Sequence, residues 1–340
     1  MTAQILETTA RALVAAGKGI LAADESQPTI AKRFVSIGIE NTEEARRSYR
    51  DMLFSTVGAE EFISGVILYE ETLGQKASDG TPFPQALAAR GIIPGIKVDT
   101  GAKPLALHPT ELITEGLDGL RGRLEKYREQ GARFAKWRAV ITIGANIPSR
   151  ACINANANAL ARYAALCQEV GLVPIVEPEV LMDGDHTIDR CEDVTTWTLH
   201  EVFDALYQQD ILLEGMLLKP NMVISGMKCP QQASVQEVAD RTVRCLLRTV
   251  PAAVPGIVFL SGGQDDVVAT AHLDAMNRSD RELPWALSFS YGRALQAPAL
   301  KAWGGKTENV GAGQRAFYTR AKANSAASTG RWDQGLEKTA

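Results

Sequence analysis

The stretch V-P-I-V-E-P-E (173–179) is apolar from its start and closes on two carboxylates, Glu177 and Glu179, two residues apart. Continuous apolar character is what a strand covered on both faces requires, as in a parallel sheet packed between helices. Working outward, the same pattern recurs in F-A-K-W-R-A-V-I (134–141) upstream and M-L-L-K-P-N-M-V (216–223) downstream. Further away lie G-I-L-A-A-D (19–24), I-S-G-V-I-L-Y-E (63–70), G-I-K-V-D (95–99), I-V-F-L-S-G-G (257–263) and W-A-L-S-F-S-Y-G-R (285–293). Markers in the eight runs, Asp24, Leu68, Lys97, Lys136, Glu177, Lys219, Ser261 and Tyr291, are spaced 29 to 44 residues apart. Each interval has room for a strand, a helix and two loops.

The intervals read as helices. Asn41 with Glu44 suggests a capping box and Ser234 with Glu237 another, while Leu117, Leu120, Leu124 and Tyr127 keep helical spacing until Gly131. Strands alternating with helices predict an α/β fold, a (β/α)8 TIM barrel formed as one domain by residues 1–340. A doubly wound open sheet is the structural alternative, disfavoured because no G-x-G-x-x-G follows the first strand. Only the end of the chain, from about residue 323, reads as a flexible tail.

Composition narrows the function. With 36 Lys+Arg against 40 Asp+Glu and a net charge of −4, the chain lacks the basic footprint of a nucleic-acid binder, and no cationic face suits a membrane. The start M-T-A-Q-I-L-E-T-T-A-R has no basic n-region followed by an apolar h-region, and no run approaches a membrane span, so a soluble cytoplasmic protein is expected. Cys152, Cys167, Cys191, Cys229 and Cys245 are odd in number and form no CxxC, which fits reduced buried thiols. His108, His186, His200 and His272 have no metal-ligand spacing, so no metal is expected.

The informative residues are charges inside strand-like runs. Asp24, Lys97, Asp99, Lys136, Arg138, Glu177, Glu179 and Lys219 all lie within or at the ends of these runs, where a parallel barrel gathers catalytic groups at one mouth. Lys97/Asp99, Lys136/Arg138 and Glu177/Glu179 are each two apart and share a face. Structural ion pairs explain any one pair as well as function does, but not the whole set. Lys219 stands among Met216, Leu217 and Leu218, where an isolated ammonium is costly, so partial deprotonation is expected, helped by a second cation such as Lys136. A neutral amine attacks ketones to give a Schiff base, and Glu177 is placed to act as general acid when the carbinolamine loses water.

S-G-G-Q (261–264) and S-Y-G-R-A (290–294) end the last two runs, where barrels commonly hold a phosphate. Gly262, Gly263 and Gly292 allow close backbone approach and Arg293 adds charge. Lys97, Ser26 and Arg33 near other strand ends suit a second anion, hence a substrate phosphorylated at both ends.

At these residues the chain resembles class I fructose-bisphosphate aldolase. The resemblance runs through G-I-L-A-A-D-E-S (19–26), I-A-K-R (30–33), G-V-I-L-Y-E-E-T (65–72), G-I-K-V-D (95–99), G-L-D-G-L (116–120), F-A-K-W-R (134–138), N-A-N-A-L-A-R-Y-A (156–164), P-I-V-E-P-E (174–179), D-G-D-H (183–186), L-L-K-P-N-M-V (217–223), F-L-S-G-G-Q (259–264) and S-F-S-Y-G-R-A-L-Q (288–296). It implies reversible, metal-independent cleavage of fructose 1,6-bisphosphate to dihydroxyacetone phosphate and glyceraldehyde 3-phosphate, as in glycolysis and gluconeogenesis. Lys219 would be the Schiff-base lysine, Glu177 the acid/base for carbinolamine chemistry, and Asp24 the acceptor of the C4-hydroxyl proton. Lys136 would stabilise developing charge, Glu179 would pair with neighbouring cations including Arg138, and Lys97 would serve the second phosphate. Ser261, Gly262, Gly263, Gly292 and Arg293 match the dihydroxyacetone-phosphate phosphate site, and Ser26, Thr29 and Arg33 the opposite one. The resemblance also implies a homotetramer and no cofactor beyond the Schiff base on Lys219. The alternatives are a Schiff-base barrel for another sugar phosphate and a phosphosugar sensor without turnover. A sensor would be expected to have lost Lys219, Glu177 or Asp24, and all three are present.

Two departures stand out. Where the family usually reads D-E-S-T-G-S, this chain has D-E-S-Q-P-T (24–29), losing a hydroxyl at 27, and Pro28 is expected to stiffen a loop that normally has glycine. Many relatives end in a tyrosine that assists proton transfer at the enamine carbon, whereas here the last tyrosine is Tyr318. Protonation of the enamine is therefore expected to be slower than cleavage. Deuterium exchange into dihydroxyacetone phosphate measures it, and exchange far outpacing turnover would overturn the expectation.

Overall fold

Side chains two apart on a strand share a face, and this period sorts the buried residues into two cores. In the computed structural model, which describes residues 2–279 and 281–338, eight parallel strands close into a ring. They are β1 (Gly19–Ala23), β2 (Ile63–Leu68), β3 (Ile93–Lys97), β4 (Phe134–Ile141), β5 (Val173–Val180), β6 (Leu217–Leu218), β7 (Gly256–Phe259) and β8 (Ala286–Tyr291). Each pairs with its successor and β8 returns to pair with β1, so the barrel replaces the doubly wound alternative. The eight apolar runs are these strands in order. β6 is the shortest because Pro220 has no N–H for the ladder, although Lys219 N still bonds Val176 O at 2.8 Å.

The inner core combines Ile20, Ile67, Phe134, Val173, Leu217 and Val258 with Leu6, Ala10 and Leu13 of the Thr2–Leu13 helix. That helix lies under the strand starts and closes the barrel floor. Its Leu6, Ala10, Leu13 stripe is the sequence signal for burial. The opposite parity, including Leu21, Val66, Ala135, Trp137, Val176 and Phe259, packs outward on the helices. Lys136 and Arg138 continue the inner parity of Phe134, and Glu177 and Glu179 that of Val173 and Ile175. The barrel interior is thus apolar at the floor and charged at the mouth.

Two local expectations change. The Glu43–Phe54 helix is capped by Thr42, whose Oγ1 accepts from Ala45 N at 3.1 Å, not by Asn41, whose Oδ1 instead accepts from Arg46 Nη1 at 3.1 Å. The Ser234 cap is present, its side chain accepting from Glu237 N. The stretch from 323 is not loose over 323–338. The Val310–Ala327 helix runs through it with Ala323, Asn324 and Ala327 buried, and Glu337 accepts two hydrogen bonds from the buried Arg320 at 2.5 and 2.6 Å. A small-residue composition that suggests disorder here serves close helix packing instead. Thr339 and Ala340, also covered by that expectation, lie outside the described residues.

Phe134 fills the floor so closely that a Cβ added at Gly95 would stand 2.3 Å from its ring. Gly95→Ala should therefore cost about 1–3 kcal/mol in urea unfolding, as overpacked cores do. Combining it with Phe134→Leu should recover part of that loss, and strictly additive losses would show that the two sites do not compete for space.

Candidate active site

At the mouth the strand ends surround a cavity of about 870 Å³. Asp24 follows β1, Lys136 sits in β4, Glu177 in β5, and Lys219 directly after β6. Strand closure brings these four distant segments together. Lys136 Nζ lies 2.7 Å from Asp24 Oδ2 and 3.2 Å from Glu177 Oε2, while Lys219 Nζ lies 3.2 Å from Glu177 Oε1. Their side chains form one largely buried chain, Asp24–Lys136–Glu177–Lys219. Both lysines and Glu177 are only 3% exposed.

Burial opposes ionisation of Asp24, but the charges of Lys136, Lys219 and Lys97 outweigh it and hold its carboxyl well below the usual range. Glu177 is likewise shifted down: burial raises it, and Lys136, Lys219 and Arg138 more than compensate. Burial works against the Lys136 ammonium, yet Asp24 and Glu177 raise its pKa above the ordinary lysine value. Glu177 is therefore ionised at rest, and its buried Oε2 has no aligned hydrogen bond. Such an oxygen is poised to take a proton or bind an incoming hydroxyl.

The remaining charges form a second ring. Arg138 Nε pairs with Glu179 Oε2, and Lys97 Nζ folds onto Asp99, 2.6 Å from its Oδ1 and 2.9 Å from its backbone oxygen. Ser261, Gly262, Gly292 and Arg293 line the same cavity as Ser26, Thr29 and Arg33. Gly262 has φ +58, a left-handed turn that suits glycine. Arg293 Nη2 donates to Gly262 O at 2.6 Å. Gly263 N–H is turned onto Met182 Sδ at 2.9 Å. Pro28 does not stiffen a loop: it occupies the first turn of the Gln27–Val35 helix, where a missing N–H costs nothing. Ser26 is the N-cap of this helix, and its hydroxyl meets the Thr29 hydroxyl at 3.1 Å. Arg33 reaches across toward Gly292, its Nη2 lying 3.6 Å from where a Cβ would stand.

Several functional neighbours escaped the sequence reading. Buried Glu25 accepts from Arg33 Nη1, from Arg50 Nη2 at 3.1 Å and from Gln296 Nε2 at 2.8 Å, and so holds Arg33 in place. Ser290, on the inner parity of β8, puts an unpartnered hydroxyl into the cavity wall. Parity counting reveals Ser290, whereas no local signal reveals the Glu25 cluster. His272 Nδ1 donates to Gln264 Oε1 at 2.7 Å and braces the S-G-G-Q loop. Tyr318 stacks edge-on with Phe62, at the strand-start end and away from the mouth. Among the described residues no His, Cys, Asp and Glu are grouped to hold a metal, and no helix is long and apolar enough to cross a membrane.

Known proteins resemble this one over nearly the whole chain. Residues 5–340 match the profile of the family described as fructose-bisphosphate aldolase class-I. A Xanthomonas campestris pv. campestris protein named "Probable fructose-bisphosphate aldolase class 1" is 61% identical over 333 residues, covering 98% of this chain and 99% of its own. The Arabidopsis thaliana "Fructose-bisphosphate aldolase 6, cytosolic" is 58% identical over 314 residues, covering 92% and 87%. A solved structure of Plasmodium falciparum fructose-bisphosphate aldolase, in complex with TRAP and a small-molecule inhibitor, superposes with a TM-score of 0.97 at 52% identity, covering 98% of this chain and 96% of that one. A barrel with this mouth and these relatives is a carbon–carbon lyase of sugar phosphates. The chain belongs to the class I fructose-bisphosphate aldolase family.

Burial lowers the His272 pKa to about 4, and burial lowers that of His186 as well. The unfolded chain therefore binds more protons than the folded one below the ordinary histidine pKa, so this stability is complete above it and is lost as pH falls toward 4. For His272 the free energy of urea unfolding should fall by up to about 1.4 kcal/mol per pH unit between roughly pH 6.5 and 4.5. His272→Gln should flatten that slope, and an unchanged slope would remove His272 as its source.

Proposed function

We propose that the buried chain of charges performs Schiff-base aldol cleavage, with Lys219 as the nucleophile. The observation that carries this reading is the single Glu177 carboxylate in contact with both Lys219 and Lys136. An ionised Glu177 can take the proton that Lys219 must lose before its amine adds to the ketose carbonyl. That transfer leaves Glu177 as a carboxylic acid, ready to protonate the departing hydroxyl of the carbinolamine. Water leaves and an iminium remains. Asp24, ionised because of its lysine neighbours, then accepts the C4-hydroxyl proton. The C3–C4 bond breaks and its electron pair flows into the iminium, giving an enamine and a free aldehyde. Protonation at C3 and hydrolysis return the lysine. The Lys136 ammonium offsets the negative charge that moves between Asp24 and Glu177.

In this reading the iminium is the electron sink and no metal or other cofactor takes part. The Ser261–Gly263 and Gly292–Arg293 loops hold the phosphate on the dihydroxyacetone side. Ser26, Thr29, Arg33 and Lys97 meet the other phosphate, Arg33 standing between the two. Glu179 keeps Arg138 oriented at the rim. The chain acts as one barrel domain, in the cytoplasm and as a homotetramer, as the resemblance and the cytosolic name of a plant relative support.

Borohydride trapping with fructose 1,6-bisphosphate in EDTA, followed by peptide mapping, tests the nucleophile. An adduct on the L-L-K-P-N peptide, absent in Lys219→Ala, is expected, with kcat/KM falling by about a thousandfold or more. Full activity in EDTA without any adduct would sink the reading. Asp24→Asn should still be trapped but lose about 10²–10⁴-fold in kcat, since it removes the proton acceptor and leaves the amine. Glu177→Gln should slow trapping itself.

A further inference from the structure

The amide expected to receive phosphate donates to a side chain of the protein itself. Gly263 N–H points at the Met182 sulfur at 2.9 Å, and a Cβ on Gly263 would meet Met182 Sδ at 3.1 Å and Met227 Sδ at 3.2 Å. Met182 belongs to the segment that follows β5 and leads into D-G-D-H (183–186). Its backbone is fixed: Leu181 N bonds Ile141 O at 2.9 Å, Met227 N bonds Met182 O at 2.8 Å, and Lys228 N bonds Gly184 O at 2.7 Å. Only the flexible side chain can therefore swing off the loop. A thioether is a weak acceptor, so a phosphate dianion displaces it readily.

We propose that the Met182 thioether is a placeholder for the substrate phosphate, and that its oxidation to the sulfoxide reversibly closes the phosphate site. The inference rests on the reading of the S-G-G and G-R loops as a phosphate site. The oxidant is a peroxide. A sulfur lone pair attacks one peroxide oxygen, the O–O bond breaks, sulfur loses two electrons to become the sulfoxide, and hydrogen peroxide is reduced to water. Met182 is partly exposed at the mouth and accessible to so small a reagent. The product carries a polar oxygen where a soft sulfur stood. That oxygen accepts strongly from Gly263 N–H, and Arg293 Nη2 is close by, 3.7 Å from the position of a Gly263 Cβ. Both donors meant for phosphate are then engaged by the protein itself. Methionine sulfoxide reductases return the thioether.

The test titrates the full chain with hydrogen peroxide, quantifies sulfoxide at Met182, Met222 and Met227 by peptide mass mapping, and measures KM for fructose 1,6-bisphosphate and inhibition by inorganic phosphate. As the Met182 sulfoxide accumulates, KM should rise about tenfold and phosphate inhibition should weaken in parallel, the loss of one charge-assisted hydrogen bond. Reductase treatment should restore both. Each variant is compared with its own untreated state: Met182→Leu should lose the peroxide response, Met227→Leu should keep it, and Met182→Gln, with an amide oxygen near the same place, should raise KM without peroxide. The proposal is overturned if Met182 is fully oxidised with KM unchanged, if Met182→Leu responds as the parent does, or if Met182 resists peroxide that oxidises Met227. An untreated chain that fails to cleave fructose 1,6-bisphosphate would instead refute the functional reading, so the two failures are distinguishable.

Discussion

Lys136 cannot be buried alone. An ammonium 3% exposed in a barrel interior carries a desolvation penalty of several kcal/mol, which only close, well-placed anions repay. Here the repayment comes from Asp24 on one side and Glu177 on the other, drawn from strands that are far apart in sequence. The same Glu177 contacts Lys219, so no member of the chain is free of the others. Removing either carboxylate would leave a buried lysine without full compensation. Neutralising either lysine would free a carboxylate to pick up a proton. In the proposed mechanism the interaction that lets the charges be buried is also the one that lets protons move among them, and the rest of the mouth serves to keep it aligned.

The barrel supplies that alignment through one geometric rule. Every second residue of eight strands points inward, so a strand places an apolar side chain at the floor and a charged one at the mouth without changing face. Phe134 to Lys136 to Arg138, and Val173 to Ile175 to Glu177 to Glu179, are two such ladders. The floor is sealed by the Thr2–Leu13 helix, whose Leu13 packs at Gly65, while Val14, just beyond it, packs at Gly256. These two glycines are small because the plug takes the space their side chains would fill. With the plug at the floor, the charged cluster sits at the opposite end, just inside the mouth.

This division explains what the sequence disclosed. Strand periodicity and charges within apolar runs are local, so the eight strands, Lys219, Glu177, Lys136 and Asp24 could be read before any contact was known. The Glu25 cluster could not be read in the same way, because Arg33, Arg50 and Gln296 become its neighbours only once the chain has closed. Nor could the order of residues 323–338, whose small side chains look like a linker until the helix they pack against is in place. The one-residue shift of the cap from Asn41 to Thr42 is of another kind: both residues can cap, and the loop geometry chose between them.

The donors proposed for the anions all have partners within the protein. Lys97 lies on Asp99, Arg293 on the Gly262 carbonyl, and Gly263 on Met182. Binding a phosphate is therefore an exchange of partners, and its net free energy is smaller than the strength of the new hydrogen bonds alone. For an enzyme that splits one doubly phosphorylated ketose into two singly phosphorylated fragments, this has a kinetic consequence. Each product keeps only one phosphate, and the donors it vacates have partners waiting, so release does not expose unpaired buried groups. In the proposed reading the ketose engages both sites at once and gains from the second contact being intramolecular. Substrate is thus held by two exchanges together and each product by one, which favours retention before cleavage and departure after it.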